Sequence, residues 1–207
     1  MRIKRKIGVV GSAGGDLLGH AMELCTELGR EIARRDCIIV TGACPGLPHA
    51  AMQGAKQLGA LAIGISPALC LGEHISRYGS PYEEYDALIF TGSGLMGREV
   101  DVVRTADIIV VVGGRSGTLG EFSIAYDDGN VIGVLLGTGG VAEHLREIVA
   151  HIDKDTGATM LYAHSPAELL DQALACHDQR VRNGTAHTIN ESGRVIGELT
   201  GESSECD

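Results

Sequence analysis

The sequence predicts an α/β fold: a Rossmann-like parallel sheet with helices on both faces. Short runs rich in β-branched residues alternate with longer segments of helical periodicity, which is typical of βαβ units. Hydrophobic residues make up 44 % of the 207 positions, yet the chain has no Trp and two Phe. The core is therefore expected to consist of Val, Ile, Leu and Ala, the usual content of a parallel sheet covered by helices.

Three strands and two helices are predicted in the first third of the chain. A strand at residues 7–10 runs into a glycine turn. A helix over residues 17–34 follows, because apolar residues recur at helical spacing: Leu17, Ala21, Leu24, Leu28 and Ile32. The pattern then repeats as a strand at 37–41, a second glycine turn, a helix at 47–58 and a strand at 60–65.

The middle of the chain begins with a long segment, residues 66–86, that predicts irregular structure. It contains four residues that interrupt regular elements: Pro67, Gly72, Gly79 and Pro81. Connections of this length are uncommon without a functional reason. A strand at 87–90, a helix at 96–105 and a buried strand at 108–112 follow it, the last because residues 108–112 are all Ile or Val.

The last third of the predicted domain continues the alternation. A helix after Thr118 is expected to run to residue 127, since the turn residues at 128–130 end it. Four elements follow: a strand at 131–136, a helix at 141–152 behind the glycine turn at 137–140, an edge strand at 159–162, and a helix at 166–176 capped by Ser165.

Residues 1–177 are expected to form a single nucleotide-binding domain, because a chain of this length can bury one large core. Beyond residue 177 the composition turns polar, with turn signals at Asn183-Gly184 and Ser192-Gly193. Residues 178–207 are therefore expected to be a polar C-terminal tail or a small hairpin.

The charge of the chain argues against polymeric and membrane partners. The formal net charge is −10, and the basic residues cluster only at positions 2–6, so neither nucleic acid nor a membrane surface is an expected partner. No apolar run reaches the roughly 18 residues of a membrane span. The six cysteines form no Cys-x-x-Cys pair and the eight histidines show no metal-ligand spacing. We expect reduced thiols, no metal, no cofactor and a cytoplasmic location.

The strongest functional signal is the segment over residues 107–121: a buried-type strand, a glycine turn and the start of a helix. Such a turn presents backbone N–H groups at a helix N-terminus, where the macrodipole favours a phosphate. Arg115 either clamps an anion as a forked donor or points to solvent. The candidate anion-binding residues are Gly113, Gly114, Arg115, Ser116, Gly117 and Thr118.

Two further glycine turns follow the first and second predicted strands. Ligands of open α/β sheets bind outside the carboxyl ends of the strands, although a single glycine turn is equally expected from tight chain reversal alone. The first turn lacks the Gly-x-Gly-x-x-Gly spacing of dinucleotide sites, and no Gly-Lys-Ser/Thr of a P-loop occurs. These turns add five candidate ligand-binding residues: Gly11, Ser12, Thr41, Gly42 and Gly46.

Glu121 and Arg98 are candidate catalytic residues with competing structural interpretations. The spacing Thr118-x-x-Glu121 fits a capping box, in which the glutamate only binds its own helix start. Alternatively, an ionised Glu121 faces the anion site and acts as a base or stabilises a cation. Arg98 either pairs with Asp101 on a helix surface or contacts the same site.

These motifs together resemble the LONELY GUY proteins. Residues 107–121 resemble the Pro-Gly-Gly-x-Gly-Thr-x-x-Glu signature, residues 41–51 are similar to the family's second glycine loop, and Arg98 matches the arginine ahead of the signature strand. The signature differs at Gly113, Arg115 and Gly120, which stand for its proline, second glycine and first glutamate. The chain is thus nearer to a bacterial branch with Gly-Gly-x-x-Gly-Thr-x-x-Glu, whose members are similar to molybdenum cofactor carrier proteins.

The resemblance, which covers residues 7–176, implies hydrolysis of the N-glycosidic bond of a nucleoside 5′-monophosphate to free base and ribose 5-phosphate. The amides of residues 114–118 and the Thr118 hydroxyl would hold the phosphate. Glu121 would stabilise the oxocarbenium-like ribose or direct water, and Arg98 would orient Glu121. The alternative is a non-catalytic carrier or sensor that binds molybdenum cofactor or a nucleotide in the same crevice. A homodimer or higher homo-oligomer is also implied.

Overall fold

The structure is a computed structural model that describes residues 3–15 and 19–184. The described strands are β1 (Lys6–Gly11), β2 (Ile38–Thr41), β3 (Ala62–Ser66), β4 (Ala87–Phe90), β5 (Ile108–Val112), β6 (Val131–Leu135) and β7 (Thr159–Ala163). The described helices are α1 (Gly19–Arg34), α2 (Leu47–Gln57), α3 (Leu71–Ser76), α4 (Gly94–Thr105), α5 (Ser116–Asp127), α6 (Leu145–Ile152) and α7 (Pro166–Arg182), with a 3₁₀ helix at Gly140–His144.

The strands form one parallel sheet in the order β4-β3-β2-β1-β5-β6-β7. Successive residues of β5 point to opposite faces: Val110 packs in a core with α1, α2 and α7, whereas Ile109 packs in a core with α4, α5 and α6. Both faces of the sheet are thus covered by helices. The predicted Rossmann-like α/β fold is confirmed.

The strand order positions the crevice in which a ligand can bind. From β1 the chain proceeds outward to β4 and then returns to place β5 on the other side of β1. The connections after β1 and after β5 therefore leave the sheet in opposite directions, and they separate at the carboxyl ends of these two strands. Such a topological switch point is where open α/β sheets bind their ligands.

The structure corrects the predicted 66–86 segment, which is not wholly irregular, because α3 lies within it. The Glu73 carboxylate accepts a hydrogen bond from the Leu69 amide at 2.7 Å, just ahead of the helix. The Ser66 hydroxyl lies 2.8 Å from His74 Nδ1 and ties α3 to the end of β3. These side-chain contacts stabilise a short helix in a segment whose glycine and proline residues predict irregular structure. The helix is too short to be recognised from hydrophobic periodicity.

The last helix also differs from its prediction. Ser165 caps α7 as expected, accepting from the Glu168 amide, but α7 continues past residue 176 to Arg182. Arg180 donates to the Gly129 carbonyl and to the Thr159 hydroxyl, and these tertiary contacts hold the final turns. The predicted tail over 178–207 thus begins as helix, and its remainder from residue 185 lies outside the described residues, as does the predicted start of α1 at residue 17.

The remaining observed bounds of strands and helices differ little from the predicted ones, except at the starts of two helices. The predicted 141–152 helix is divided into the 3₁₀ helix and α6. Helix α5 begins at Ser116, before Thr118, which matters for the site. Among residues 3–15 and 19–184, no helix combines the length and apolarity that crossing a bilayer requires.

Candidate functional site

A cavity of about 460 Å³ lies at the carboxyl ends of β1 and β5, where the strand order predicts a ligand site. Nine of the predicted site residues line this cavity: Gly11, Ser12, Gly42, Arg98, Arg115, Ser116, Gly117, Thr118 and Glu121. Residues from three separate glycine turns are therefore brought together, as the sequence predicted. The four others, Thr41, Gly46, Gly113 and Gly114, lie behind the lining and shape the turns.

Ser12 joins the three glycine turns. Its hydroxyl accepts a hydrogen bond from the Gly114 amide at 2.6 Å, and its carbonyl accepts from the Leu47 amide at 2.9 Å. A Cβ placed on Gly46, where φ is +87°, would lie 2.2 Å from the same carbonyl, so this turn requires glycine. Since the Gly114 amide already donates to Ser12, it is not one of the phosphate donors that the sequence suggested.

The turn over residues 137–140 supports the site from behind. The Thr138 hydroxyl accepts from the Gly113 amide at 2.8 Å and donates to the Leu135 carbonyl at 2.6 Å. The Val141 amide donates to the Gly114 carbonyl at 2.9 Å. The backbone groups of Gly113 and Gly114 are thus satisfied by protein contacts, which holds the start of α5 in place.

The N-terminus of α5 faces the cavity and can bind an anion. Arg115 is the N-cap residue, with extended backbone, and the first helical hydrogen bond runs from the Leu119 amide to the Arg115 carbonyl. The amides of the first helical turn, at Ser116, Gly117 and Thr118, precede that bond and have no intrahelical acceptor. Together with the helix dipole they suit a phosphate.

This helix start rules out the capping-box interpretation of Glu121. A capping box requires Thr118 to be the N-cap, but Thr118 is the third residue of α5 and the cap position belongs to Arg115. Glu121 therefore does not bind its own helix start. It lies in the second turn of α5, lines the cavity and is only 7 % exposed.

Glu121 pairs with Arg98 inside the cavity. The distance from Arg98 Nη1 to Glu121 Oε1 is 3.8 Å, and Arg98 is likewise 7 % exposed. Burial raises the pKa of Glu121 to about 7, the Arg98 guanidinium opposes this rise, and the Glu99 carboxylate adds to it. The Arg98 guanidinium therefore lies in the cavity, and it does not form the surface ion pair with Asp101 that the sequence spacing allowed.

The guanidinium of Arg98 is only partly satisfied. Its Nη2 donates to Cys44 Sγ at 3.4 Å, while its buried Nε has no hydrogen-bond partner among the described residues. A buried cation that lacks full hydrogen bonding weakens the fold. Arg98 thus lines the cavity with a guanidinium that the protein does not fully satisfy.

Gly42 provides the space for this guanidinium. A Cβ placed on Gly42 would lie 1.4 Å from Arg98 Nη1 and 2.5 Å from Arg98 Cζ. Gly42 was predicted as a ligand-binding residue, and the structure shows that its lack of a side chain lets Arg98 enter the site.

We predict that Gly42→Ala displaces Arg98 and lowers the free energy of unfolding by about 1–3 kcal/mol, the usual cost of overpacking. Chemical denaturation measures this effect. Gly14→Ala is the matched control, because a Cβ on Gly14 meets no atom within 4 Å. Equal unfolding free energies for the two variants would contradict the assigned role of Gly42.

Glu99 is a site residue that the sequence analysis missed. It follows Arg98 on α4, lines the cavity, and is 6 % exposed. Burial raises the pKa of Glu99, and Arg98 opposes the rise. The available signal was the spacing Gly92-x-Gly94-x-x-Gly97, which follows β4 and opens α4. Strand, glycine turn and helix in this order indicate a further loop at the carboxyl edge of the sheet.

Arg115 and Thr41 have different positions from the buried pair. Arg115 is exposed at the cavity mouth, and its Nη1 would lie 3.7 Å from a Cβ placed on Gly15. Thr41 is buried behind the cavity, where its hydroxyl lies 2.8 Å from the Tyr85 hydroxyl and accepts from the Ala43 amide. Thr41 therefore supports the turn and does not line the cavity.

A second cavity of about 440 Å³ lies beside α2 and is lined by Pro45, His49, Tyr82 and Glu84 among others. It has an acidic edge, so it does not suit a phosphate. Within the described ranges, no group of three or more His, Cys, Asp or Glu side chains is arranged to hold a metal ion.

Comparisons with known proteins agree with this architecture. A family model described as the SLOG cluster4 family matches residues 4–170. The molybdenum cofactor carrier protein of Chlamydomonas reinhardtii is 29 % identical with a TM-score of 0.67, over 84 % of this chain and 99 % of that chain. The molybdenum cofactor binding protein of Rippkaea orientalis is 24 % identical with a TM-score of 0.68, over 85 % and 99 %. An uncharacterized Archaeoglobus fulgidus protein is 29 % identical over 133 residues, 63 % of this chain and 79 % of its own length.

Proposed function

The chain belongs to the SLOG cluster4 family, and we propose that it is a carrier-type protein, which binds a phosphorylated cofactor or nucleotide in the cavity between β1 and β5 and releases it unchanged. The candidate cargo is molybdenum cofactor. The observation that carries this proposal is the first turn of α5, whose amides face the cavity without intrahelical acceptors. The 29 % identity to the Chlamydomonas carrier protein supports the choice of cargo.

The electrostatics of the cavity also support local capture of an anion. The chain as a whole carries a formal charge of −10, so long-range attraction does not collect an anionic ligand. Affinity must come from the α5 amides, from the buried Arg98 and from Arg115 at the mouth. This arrangement requires no chemical step.

The test is to mix the full-length protein with released molybdenum cofactor, separate free cofactor by gel filtration, and measure molybdenum bound per chain. We expect about one molybdenum per chain, and release of intact cofactor to an apo-enzyme that needs it. Gly117→Asp places a carboxylate at the first turn of α5 and is expected to abolish loading, because like charges repel. Loading that is equal in Gly117→Asp and wild type would contradict the proposed anion site.

A second candidate function is N-glycosidic hydrolysis of a nucleoside 5′-monophosphate, which the Arg98–Glu121 pair favours. A carboxyl with a pKa of about 7 next to the phosphate amides can direct water or stabilise an oxocarbenium-like ribose. Incubation with AMP, GMP, CMP and UMP and chromatography of free base test this candidate. Base release that disappears in Glu121→Gln would favour hydrolysis, and no release from any of the four would favour the carrier.

A further inference from the structure

The Glu99 carboxylate extends from α4 to the glycine positions of α5. Its Oε1 would lie 3.4 Å from a Cβ placed on Gly117, and its Oε2 would lie 2.6 Å from a Cβ placed on Gly120. Any side chain at Gly120 would therefore collide with the carboxylate. Gly120 leaves the space through which Glu99 reaches the cavity that it lines.

The Glu99 carboxylate has unused capacity to accept hydrogen bonds. Glu99 is 6 % exposed, and no side-chain or backbone donor of the described residues hydrogen-bonds to it. A carboxylate is an acceptor only, with room for several hydrogen bonds. Because Glu99 lines the cavity, its oxygens are free to accept hydrogen bonds from a molecule bound there.

We propose that Glu99 is a second ligand-binding carboxylate, which accepts hydrogen bonds from O–H or N–H groups that neighbour the phosphate of the bound molecule. This inference rests on the proposed function in one respect: the phosphate occupies the first turn of α5. Glu99 would thereby determine specificity, because the backbone amides of the first turn of α5 contact only the phosphate and do not distinguish one phosphorylated molecule from another.

The position along α5 identifies which donors Glu99 meets. Gly117 belongs to the phosphate-binding turn, and Gly120 lies three residues further, which is about 4.5 Å along the helix axis. The carboxylate is near both glycines. Groups at this distance from a 5′-phosphate are the sugar hydroxyls of a nucleotide, or the ring N–H groups next to the phosphate arm of a pterin cofactor, and not the far edge of a base.

Titration calorimetry with three probes tests the inference on the full-length chain: AMP, 2′,3′-dideoxy-AMP and inorganic phosphate. Glu99→Gln is expected to bind AMP about tenfold more weakly, as for the loss of a charge-assisted hydrogen-bond pair. It is expected to bind inorganic phosphate at least as tightly as wild type, because a like charge is removed. The same charge effect acts on 2′,3′-dideoxy-AMP, which lacks the sugar hydroxyls, so Glu99→Gln is expected to bind this probe without loss of affinity.

Two further variants separate this role from a general effect on the fold. Gly120→Ala is expected to reproduce the loss of AMP affinity, since its methyl group takes the space of Glu99 Oε2. Asp101→Asn removes an exposed carboxylate from the same helix and is expected to leave all three affinities unchanged. Circular dichroism melting of each variant shows that it is folded.

The outcomes are distinguishable. Equal AMP affinity for wild type and Glu99→Gln would overturn the inference while leaving phosphate binding, and so the proposed function, intact. If Glu99→Gln lost as much affinity for 2′,3′-dideoxy-AMP as for AMP, the sugar hydroxyls would not be the donors to Glu99, and their placement beside the phosphate would be wrong. A wild-type protein that binds none of the three probes would contradict the phosphate site itself, and the inference with it.

Discussion

Replacing Arg98 by methionine is expected to weaken binding of a phosphorylated probe such as AMP by about 100-fold, the scale of losing one partner of a buried charge pair. The Arg98 guanidinium is the buried cation of the cavity, at 3.8 Å from Glu121. Without it, an anionic ligand would meet the carboxylates of Glu99 and Glu121, and of the cationic side chains that line the cavity only the exposed Arg115 would remain beside the α5 amides. Methionine keeps much of the apolar stem, so the loss reports the charge.

Titration calorimetry with AMP at pH 7.5 measures this loss. Arg104→Met is the matched control, because Arg104 lies on the same helix with its side chain 60 % exposed beside Asp128. The double variant Arg98→Met/Glu121→Gln is expected to recover part of the affinity, since it removes the carboxylate that Arg98 compensates. Equal AMP affinities for Arg98→Met and Arg104→Met would show that Arg98 does not contact the ligand.

Glu121→Gln is expected to change how stability depends on pH. The pKa of Glu121 is about 7 in the folded protein, against 4.5 for an ordinary glutamate, so between these values the folded state holds a proton that the unfolded state has released. Protonated Glu121 therefore contributes its full share to the unfolding free energy of wild type below pH 4.5, and this contribution is lost as the pH rises through 7. The loss amounts to about 3 kcal/mol relative to Glu121→Gln, which cannot titrate.

Urea denaturation of both proteins at intervals from pH 5 to pH 8 measures the difference in unfolding free energy. The unfolding free energy of wild type minus that of Glu121→Gln is expected to fall between pH 5 and pH 7 and to level off above pH 7. Glu23→Gln, at an exposed position of α1, should parallel wild type throughout. A difference that stays constant, or that grows with pH, would mean that Glu121 is ionised in the folded protein over the whole range.

The fold was predictable because its signals are local in sequence. Strands β4 and β5 have the predicted bounds, since their apolar runs sit between polar or glycine residues that end them. The meeting of the glycine turns after β1, β2 and β5 followed from parallel strands, whose carboxyl ends share one edge. For this reason Gly11, Ser12 and Gly42 line the same cavity as residues 115–118.

The predictions that were wrong, the capping role of Glu121 and the end of α7, depended on contacts between segments distant in sequence. The capping-box interpretation of Glu121 used spacing that was correct, but helix α5 starts earlier because Ser12 and Thr138 hold the preceding glycine backbone from other parts of the chain. Helix α7 exceeds its predicted end because Arg180 contacts Gly129, in the connection before β6, and Thr159, at the start of β7. Neither contact leaves a periodic signal in the sequence.

The sequence by itself determined the α/β class, the strand edge at which the site lies and the glycine turns that form it. Hydrophobic periodicity and turn residues are local properties of the sequence. Because the strands are parallel, the turns that follow them lie at the same edge of the sheet. Only the tertiary structure decided which side chains face one another there. It buried Arg98 against Glu121 through the space at Gly42, and it brought Glu99 over Gly120, because packing acts between helices whose relative placement no spacing encodes.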